Sequence, residues 1–327
     1  MESFPVINST LSPKELGIFL GNKYSVGNDV SCSLLKTGIN DSYLLSDDNV
    51  KYVFRVYNLN WRTEKEISEE IRLLNLLREN DIPVSCPLTD INGDYIQQFA
   101  APEGKRYGVL FSFAKGEKLL NFSADIHFKV GEIMARMHQV THNITLDRVN
   151  YTSEVILVNS FEQLKKFLSI ETEEMAFMAL AQKKLLGELE KLNSDEVRIG
   201  AVHLDIWFDN LSIDKNDVTI FDFDFCGNGW LCYDIAYYVL QLHSTEKDES
   251  ECMLKIDAFL DGYRTITRIS EEEKRLLPLL GVSLYFFYLG IQCQRFDNWS
   301  NAFLNENYLK RFINLLVKKY YEKNMIG

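Results

Sequence analysis

Residues 203–224, HLDIWFDNLSIDKNDVTIFDFD, combine two apolar runs with polar side chains at fixed intervals. Four of these side chains are candidates for one shared site: Asp205, Asn210, Asp222 and Asp224. Carboxylates among hydrophobic residues are costly to bury unless a cation or hydrogen-bond donors compensate them. The stretch therefore predicts a cluster of carboxylates that share their partners.

A β-hairpin is predicted inside this stretch. The β-prone residues LSI precede the turn-forming residues DKND, and VTIF follows them. A hairpin of this length brings its base residues, Asn210 and Asp222, close together, with Asp205 nearby.

The chemistry of these side chains suits phosphoryl transfer. An amide oxygen and a carboxylate are ligands for Mg²⁺, which fills the rest of its coordination shell with water and phosphate oxygens. Asp205, beside the metal, would accept the proton of a hydroxyl group that attacks the terminal phosphate. Each carboxylate taken singly is equally compatible with a turn or helix-cap role, and the joint spacing favours the site.

Composition limits the possible partners. The net charge is −12 and the isoelectric point about 5.0, which disfavours binding to nucleic acid or to an anionic membrane. Hydrophobic residues make up 46% of the 327 residues and charged residues 25%, as in globular proteins. The six cysteines form no CxxC pair, which is typical of reduced thiols in a cytoplasmic protein. The apolar run 276–293 contains Pro278 and Gly281, and we expect a buried helix there instead of a membrane span.

The pattern of the chain changes near residue 115. Before it, CSLLKTGINDSYLLSDDNVKYVFRVY predicts an antiparallel meander with Gly38 at the first turn, followed by a helix capped by Thr63 and Glu66 and by two more strands. After it, helices are predicted at about 125–140, 161–193, 231–243, 250–267, 271–296 and 306–324. We expect an α+β protein with a small N-terminal lobe, residues 1–115, and a larger helical lobe, residues 116–327, with a ligand cleft between them.

The motifs HLDIWFDN and IFDFD, followed by YDIAYY, resemble the signatures of the aminoglycoside phosphotransferase and choline kinase superfamily. The branch with the greatest similarity contains type II homoserine kinases and bacterial stress-response kinases, and the resemblance spans about residues 25–320. It implies a protein-kinase-like two-lobe fold, with ATP and Mg²⁺ as cofactors.

The resemblance also implies roles for the residues of the opening stretch. Asp205 would be the catalytic base, Asn210 and Asp222 the Mg²⁺ ligands, and His203 a scaffold of the catalytic loop. Asp224 would assist with a second metal or with the substrate, together with Trp207. Asp234, from YDIA, would be structural and hydrogen-bond the catalytic loop from the start of a helix. The usual glycine after the histidine is Leu204 here, which predicts an altered backbone conformation.

Further roles are implied for the N-terminal lobe. Arg55 replaces the lysine that holds the α- and β-phosphates, and strand alternation still allows it to enter the cleft. Glu70 would be its partner, although a solvated surface acid remains the alternative. The nucleotide would also contact a glycine-poor loop, a strand roof and a hinge at residues 110–114, through Gly38, Ser42, Val53, Ser112 and Ala114.

The sequence therefore predicts an ATP- and Mg²⁺-dependent kinase that phosphorylates a hydroxyl of a small molecule. Acidic and aromatic residues, including Asp205, Trp207, Trp230 and the helix at 281–296, favour an amino-alcohol, an amino sugar or a hydroxy amino acid. Two alternatives stay open: a protein Ser/Thr kinase of the stress-response type, and a pseudokinase that binds nucleotide without turnover.

Overall fold

The computed structural model describes residues 4–24, 26, 30–47 and 50–325. The chain divides into two compact units, with the boundary between Ala114 and Lys115. The short segment Asp297–Ser300 belongs to the first unit, although it lies far along the sequence. Nothing in the sequence pattern indicated that this segment joins the N-terminal unit.

The first unit is a six-stranded antiparallel sheet with two helices. Its strands are β1 (Ser31–Lys36), β2 (Asn40–Ser46), β3 (Lys51–Tyr57), β4 (Pro87–Leu88), β5 (Ile96–Ala101) and β6 (Gly104–Ser112). Its helices are α1 (Pro13–Lys23) and α2 (Glu64–Glu79). The order is β1-β2-β3-β6-β4, and β5 also pairs with β6. The meander and the strands after it are confirmed, whereas α1 and the two-residue strand β4 were not predicted.

Helix α2 begins as the sequence predicted. The Thr63 side chain accepts from the Glu66 N–H at 3.2 Å, and the Glu66 carboxylate accepts from the Thr63 N–H at 2.8 Å. Ile67 and Leu74 are buried on one face, and Glu70, placed between them by the helical repeat, is fully buried as well. The helix therefore carries one acid into the interior of the first unit.

The second unit is mostly helical. Its helices are α3 (Ala124–Thr141), α4 (Ser160–Leu164), α5 (Glu173–Leu189), α6 (Cys232–Thr245), α7 (Glu249–Ile266), α8 (Glu271–Gln294), α9 (Glu306–Phe312) and α10 (Lys319–Met325). Its strands are β7 (Ile199–Val202), β8 (Leu211–Asp214), β9 (Asp217–Ile220) and β10 (Gly227–Trp230). Strands β8 and β9 form the predicted hairpin, and β7 pairs with β10 in a second small sheet that was not predicted. The α+β class is confirmed.

The helix predicted over 161–193 is wrong in its continuity. A π-helical turn, Glu154–Asn159, leads into α4, and α5 begins only after Thr172. Thr172 caps α5 by accepting from the Met175 N–H at 3.3 Å, so this side chain satisfies a donor at a helix start instead of lying within a helix. The apolar residues on both sides have helical spacing, which hid the break.

Helix α8 contains the apolar run that resembles a membrane span. It is the one helix among the described residues that is long and apolar enough to cross a membrane, and 72% of its apolar window is buried inside the protein. Ser270 and Glu273 form a capping box at its start, and Pro278 lies in its first half. The expectation of a buried helix is therefore confirmed.

Candidate active site

The hairpin β8–β9 positions the candidate metal ligands of the second unit. Asn210 directly precedes β8, and the Phe221 N–H donates to the Asn210 carbonyl at 3.1 Å. This hydrogen bond at the base of the hairpin thus holds Phe221, the residue before Asp222, next to Asn210. Asp222 has the left-handed backbone conformation, with φ of +67°, and starts a short helical turn, Phe223–Phe225.

Asn210 also holds the candidate base. Its Nδ2 donates to Asp205 Oδ2 at 2.8 Å and to the Asp205 carbonyl at 2.9 Å. Because the amide nitrogen serves Asp205, the Oδ1 at the other end of the amide is the atom suited to a cation. These residues fit a Mg²⁺ ion that takes few protein ligands. Within the described residues, no group of three or more His, Cys, Asp or Glu side chains is arranged for a metal.

Two tyrosines contact Asp205 from the other side. Tyr237 donates its hydroxyl hydrogen to Asp205 Oδ1 at 2.7 Å, and Tyr288 lies 3.3 Å from the same oxygen. Burial raises the pKa of Asp205 to about 8, and the negative charge of Asp222 acts in the same direction. The hydrogen bonds from Tyr237, Asn210 and Tyr288 oppose this rise without reversing it. Neutral donors therefore hold the carboxylate in place.

Sequence reasoning did not single out these tyrosines. Tyr237 follows Asp234 by three residues on α6, so the two side chains share a helix face, and this spacing was a usable signal. Tyr288 lies on α8, 83 residues from Asp205, and no local pattern marks it.

His203 and Asp234 support the loop that carries Asp205. His203 Nδ1 accepts from the Asp205 N–H at 3.1 Å, and its Nε2 bonds the Phe221 carbonyl at 3.2 Å. Burial lowers the pKa of His203, which favours the neutral ring that can accept at one nitrogen and donate at the other. Asp234 accepts from the His203 N–H at 3.0 Å and the Leu204 N–H at 2.6 Å, from the first turn of α6. These are the contacts expected of scaffold residues.

Leu204 occupies the position where the resembling proteins have glycine. Its φ of +68° lies in the left-handed region that favours glycine. A non-glycine residue there costs roughly 1–2 kcal/mol. Leu204 thus adopts the backbone conformation that glycine favours. Asp234 fixes its N–H, Tyr288 donates to its carbonyl, and its side chain is fully buried.

Asp224, Trp207 and Trp230 differ in their surroundings. Asp224 is 3% exposed, and its carbonyl accepts from the Arg148 guanidinium. Trp207 lines a cavity of about 180 Å³ in the second unit, whereas Trp230 stacks on Tyr233 and borders a different cavity. The structure therefore does not bring the two tryptophans into one pocket.

In the first unit, Arg55 meets the partner expected from the sequence. Its Nη1 lies 2.7 Å from Glu70 Oε1, and Tyr57 donates to Glu70 Oε2 at 3.0 Å. Arg55 is 8% exposed, and its guanidinium lies 5.0 Å from the centre of the Phe111 ring. The alternative of a solvated Glu70 is excluded, because its side chain is fully buried.

The other candidate nucleotide residues lie on the same sheet. Ser42 faces Arg55 across β2 and β3, and Val53 pairs with Phe111 of β6. Gly38 lies in the turn between β1 and β2, where the Asn58 side chain donates to its carbonyl at 3.0 Å. The buried Arg106 guanidinium in turn donates to Asn58 Oδ1 at 2.7 Å.

At the end of the sheet, Ser112 is engaged within the unit. Its N–H donates to the Cys86 carbonyl at 2.8 Å, and its own carbonyl accepts from the Ser85 hydroxyl. A backbone hydrogen bond to the adenine of a nucleotide would therefore come from the chain after Ser112. That chain runs up to Ala114, the last residue before the unit boundary.

Comparison with known proteins places this chain in a family. The family model described as Phosphotransferase enzyme family, APH, matches residues 34–268, more than half of the chain. The chain belongs to this family and is a kinase with a hydroxyl acceptor.

Relatives are similar over most of their length. An uncharacterized protein of Synechocystis sp. is 30% identical over 315 residues, which are 95% of this chain and 86% of the relative. A homoserine kinase of Methylobacillus glycogenes is 26% identical over 271 residues, 82% of this chain and 81% of the relative.

Solved structures share the protein-kinase-like fold. A microcompartment-associated aminopropanol kinase has a TM-score of 0.77 at 20% identity, covering 96% of this chain and 99% of the other. The amicoumacin kinase hAmiN, in complex with AMP-PNP and Ca²⁺, has a TM-score of 0.76 at 19% identity, covering 94% of each chain. The predicted fold and superfamily are thus confirmed.

Proposed function

We propose that this kinase transfers the γ-phosphoryl group of ATP, with Mg²⁺, to the hydroxyl of a small amino-alcohol, amino sugar or hydroxy amino acid. The observation that carries the proposal is the arrangement around Asp205, whose two carboxylate oxygens are held by Asn210 and Tyr237 beside the hairpin base. Two similar proteins are described as a homoserine kinase and an aminopropanol kinase, and these descriptions support a small-molecule acceptor.

Each candidate residue then has one task. Mg-ATP would supply the phosphoryl group and the charge neutralisation of its leaving group. Asn210 Oδ1 and the Asp222 carboxylate would hold the cation. Asp205 would take the proton of the acceptor hydroxyl and orient its oxygen. Arg55, fixed by Glu70, would bind the α- and β-phosphates of the nucleotide.

The location and the partners of the enzyme follow from the same proposal. We infer a cytoplasmic enzyme whose partner is its small-molecule acceptor, with neither nucleic acid nor membrane involved. A cavity of about 180 Å³ beside Trp207 favours a small acceptor over a protein Ser/Thr substrate.

The test is a transfer assay with ATP and a panel of hydroxyl compounds, with and without EDTA. We expect Mg²⁺-dependent phosphorylation of at least one small amino-containing alcohol, lost in Asp222→Ala. Phosphorylation of a generic protein substrate and of no small alcohol would favour the protein kinase alternative. Nucleotide binding without any Asp222-dependent turnover would favour the pseudokinase.

A further inference from the structure

A buried lysine in the second unit has no part in the transfer step. Lys255, on α7, is 6% exposed. Its ammonium donates to Glu246 Oε2 at 2.5 Å and to Asn121 Oδ1 at 2.7 Å. An ammonium carries three N–H donors, and these contacts, within the described part of the chain, use two of them. One donor remains for a ligand.

Lys255 and Glu246 both line the cavity of about 180 Å³ that also includes Trp207. This cavity adjoins the candidate base. Trp207 follows Asp205 by two residues, and Gln241, another wall residue, hydrogen-bonds the hydroxyl of Tyr237, which donates to Asp205. One wall of the cavity is therefore formed by the loop that carries Asp205.

The charges of the cavity wall form one opposite pair. Burial, with the neighbouring Lys255 charge, lowers the pKa of His127 to about 4, so this ring adds no charge at neutral pH. Lys247, also in the wall, is exposed to water. Apart from Lys247, the charges of the wall are thus the Lys255 ammonium and the Glu246 carboxylate, whose side chains are 7% and 17% exposed. They lie between aromatic walls that include Phe122, Trp207 and Tyr238.

The size of the cavity limits the ligand. Sites for drug-sized molecules usually measure about 300–1,000 Å³. A cavity of about 180 Å³ is smaller and excludes an amino sugar of several rings. A single cationic amino-alcohol would fit but would leave the Lys255 donor without an acceptor and place two ammonium groups together. A molecule with both a carboxylate and an ammonium satisfies both members of the pair.

We propose that this cavity is the acceptor site, in which Lys255 binds a carboxylate and Glu246 an ammonium, so that the acceptor is a zwitterionic hydroxy amino acid. The proposal rests on the proposed function and selects one of its acceptor classes. Lys255 and Glu246 are then the residues that determine specificity.

Binding calorimetry on the full chain with Mg²⁺ and AMP-PNP tests the proposal, using two matched compound sets. The first is L-homoserine, 3-amino-1-propanol without the carboxylate, and 4-hydroxybutanoate without the ammonium. The second is L-serine, 2-aminoethanol and 3-hydroxypropanoate. In one set, we expect the amino acid to bind at least about tenfold more tightly than both of its analogues, since each lost charge-assisted contact is worth about 1.5–3 kcal/mol.

Variants assign the carboxylate contact. Lys255→Gln should weaken amino acid binding by about tenfold or more and leave the binding of the amino-alcohol within about threefold. Lys247→Gln, the matched control at the exposed lysine of the same wall, should change neither affinity. If Lys255→Gln does not fold, the two compound sets on the unaltered protein decide the matter.

Three results overturn the proposal: amino-alcohols that bind as tightly as the amino acids, amino acid affinity that Lys255→Gln leaves unchanged, or no amino acid binding at all. In each case, Asp222-dependent phosphorylation of another alcohol would leave the proposed function intact. Failure of the proposed function is separate, since it means no Asp222-dependent turnover of ATP whatever binds in the cavity.

Discussion

Two buried or partly buried carboxylates, one in each unit, have different partners. Glu70 in the first unit accepts a tyrosine hydroxyl from Tyr57 and has the Arg55 guanidinium at 2.7 Å. Asp205 in the second unit also accepts a tyrosine hydroxyl, but its side-chain donors within the described residues are neutral: Tyr237 and Asn210, with the Tyr288 hydroxyl 3.3 Å away. One acid is compensated by a cation and the other by dipoles.

This difference separates an acid whose charge is compensated from one whose charge is not. A carboxylate paired with a buried guanidinium keeps its charge and fixes the position of the arginine. A carboxyl group held by neutral donors keeps its position, but its negative charge is not compensated, so the group binds a proton more readily and would gain from a nearby cation. The raised pKa of Asp205 is the electrostatic sign of that state.

The largest expected effect is on catalysis, from Asp205→Asn. The substitution keeps the shape of the side chain and removes the proton acceptor, so kcat should fall by about 10²- to 10⁴-fold with nucleotide binding retained. Steady-state kinetics and nucleotide titration measure the two quantities. Asp209→Asn is the control, because this acid contacts Lys118 at the partly exposed surface of the same loop. Equal kcat in the two variants would remove Asp205 from the chemistry.

The second-largest expected effect is on stability, from removal of the Arg55 cation in the first unit. Arg55→Met should lower the free energy of unfolding by about 3–5 kcal/mol, because Glu70 is left buried without its cation. Arg72→Met is the matched control, since its contact with Glu69 lies at the surface and should be worth about 0–1 kcal/mol. Denaturant unfolding measures both. The double variant Arg55→Met/Glu70→Leu should regain much of the loss, and a loss no larger than that of Arg72→Met would contradict the comparison.

A smaller effect is expected from the dipoles around Asp205. Tyr237→Phe removes one hydrogen bond to the carboxylate, worth about 1.5–3 kcal/mol, and should lower kcat by roughly 10- to 100-fold. The KM for ATP should stay unchanged, because Tyr237 would position the base and not the nucleotide. Tyr285→Phe, which loses a comparable buried bond to Ser244 at 2.7 Å, is the control. A fall in stability with normal kcat would show that Tyr237 only supports the fold.

The smallest expected effect is on the pH dependence of stability, and it comes from a buried histidine. Burial lowers the pKa of His127 to about 4 from its ordinary 6.5, so the unfolded chain binds more protons between these pH values. The free energy of unfolding should therefore fall as pH falls through that window, by about 1 kcal/mol from pH 7 to 5.5 for this residue. Unfolding at several pH values should show a weaker dependence in His127→Gln. An unchanged slope would exclude His127 as a source.

Local sequence patterns predicted much of the fold, because helix starts and hairpin turns depend on residues that are neighbours along the chain. The capping box at Thr63 and Glu66, the hairpin around DKND and the meander before residue 57 are set by spacing and turn chemistry. Helix α1 and the pairing of β7 with β10 were missed. The β7 and β10 segments are four residues each and pair across about 25 residues of chain, so no local repeat identifies them.

The sequence by itself determined the spacing of Asp205, Asn210 and Asp222, the hairpin that relates the last two, and the presence of Arg55 and Glu70. Tertiary structure alone decided that Tyr237 and Tyr288, 32 and 83 residues away, would hold Asp205, and that Lys255 would be buried against Glu246 in the wall of a small cavity. The physical reason is that hydrogen bonding and burial depend on distance in space. Spacing along the chain reports that distance only within one helix or one hairpin.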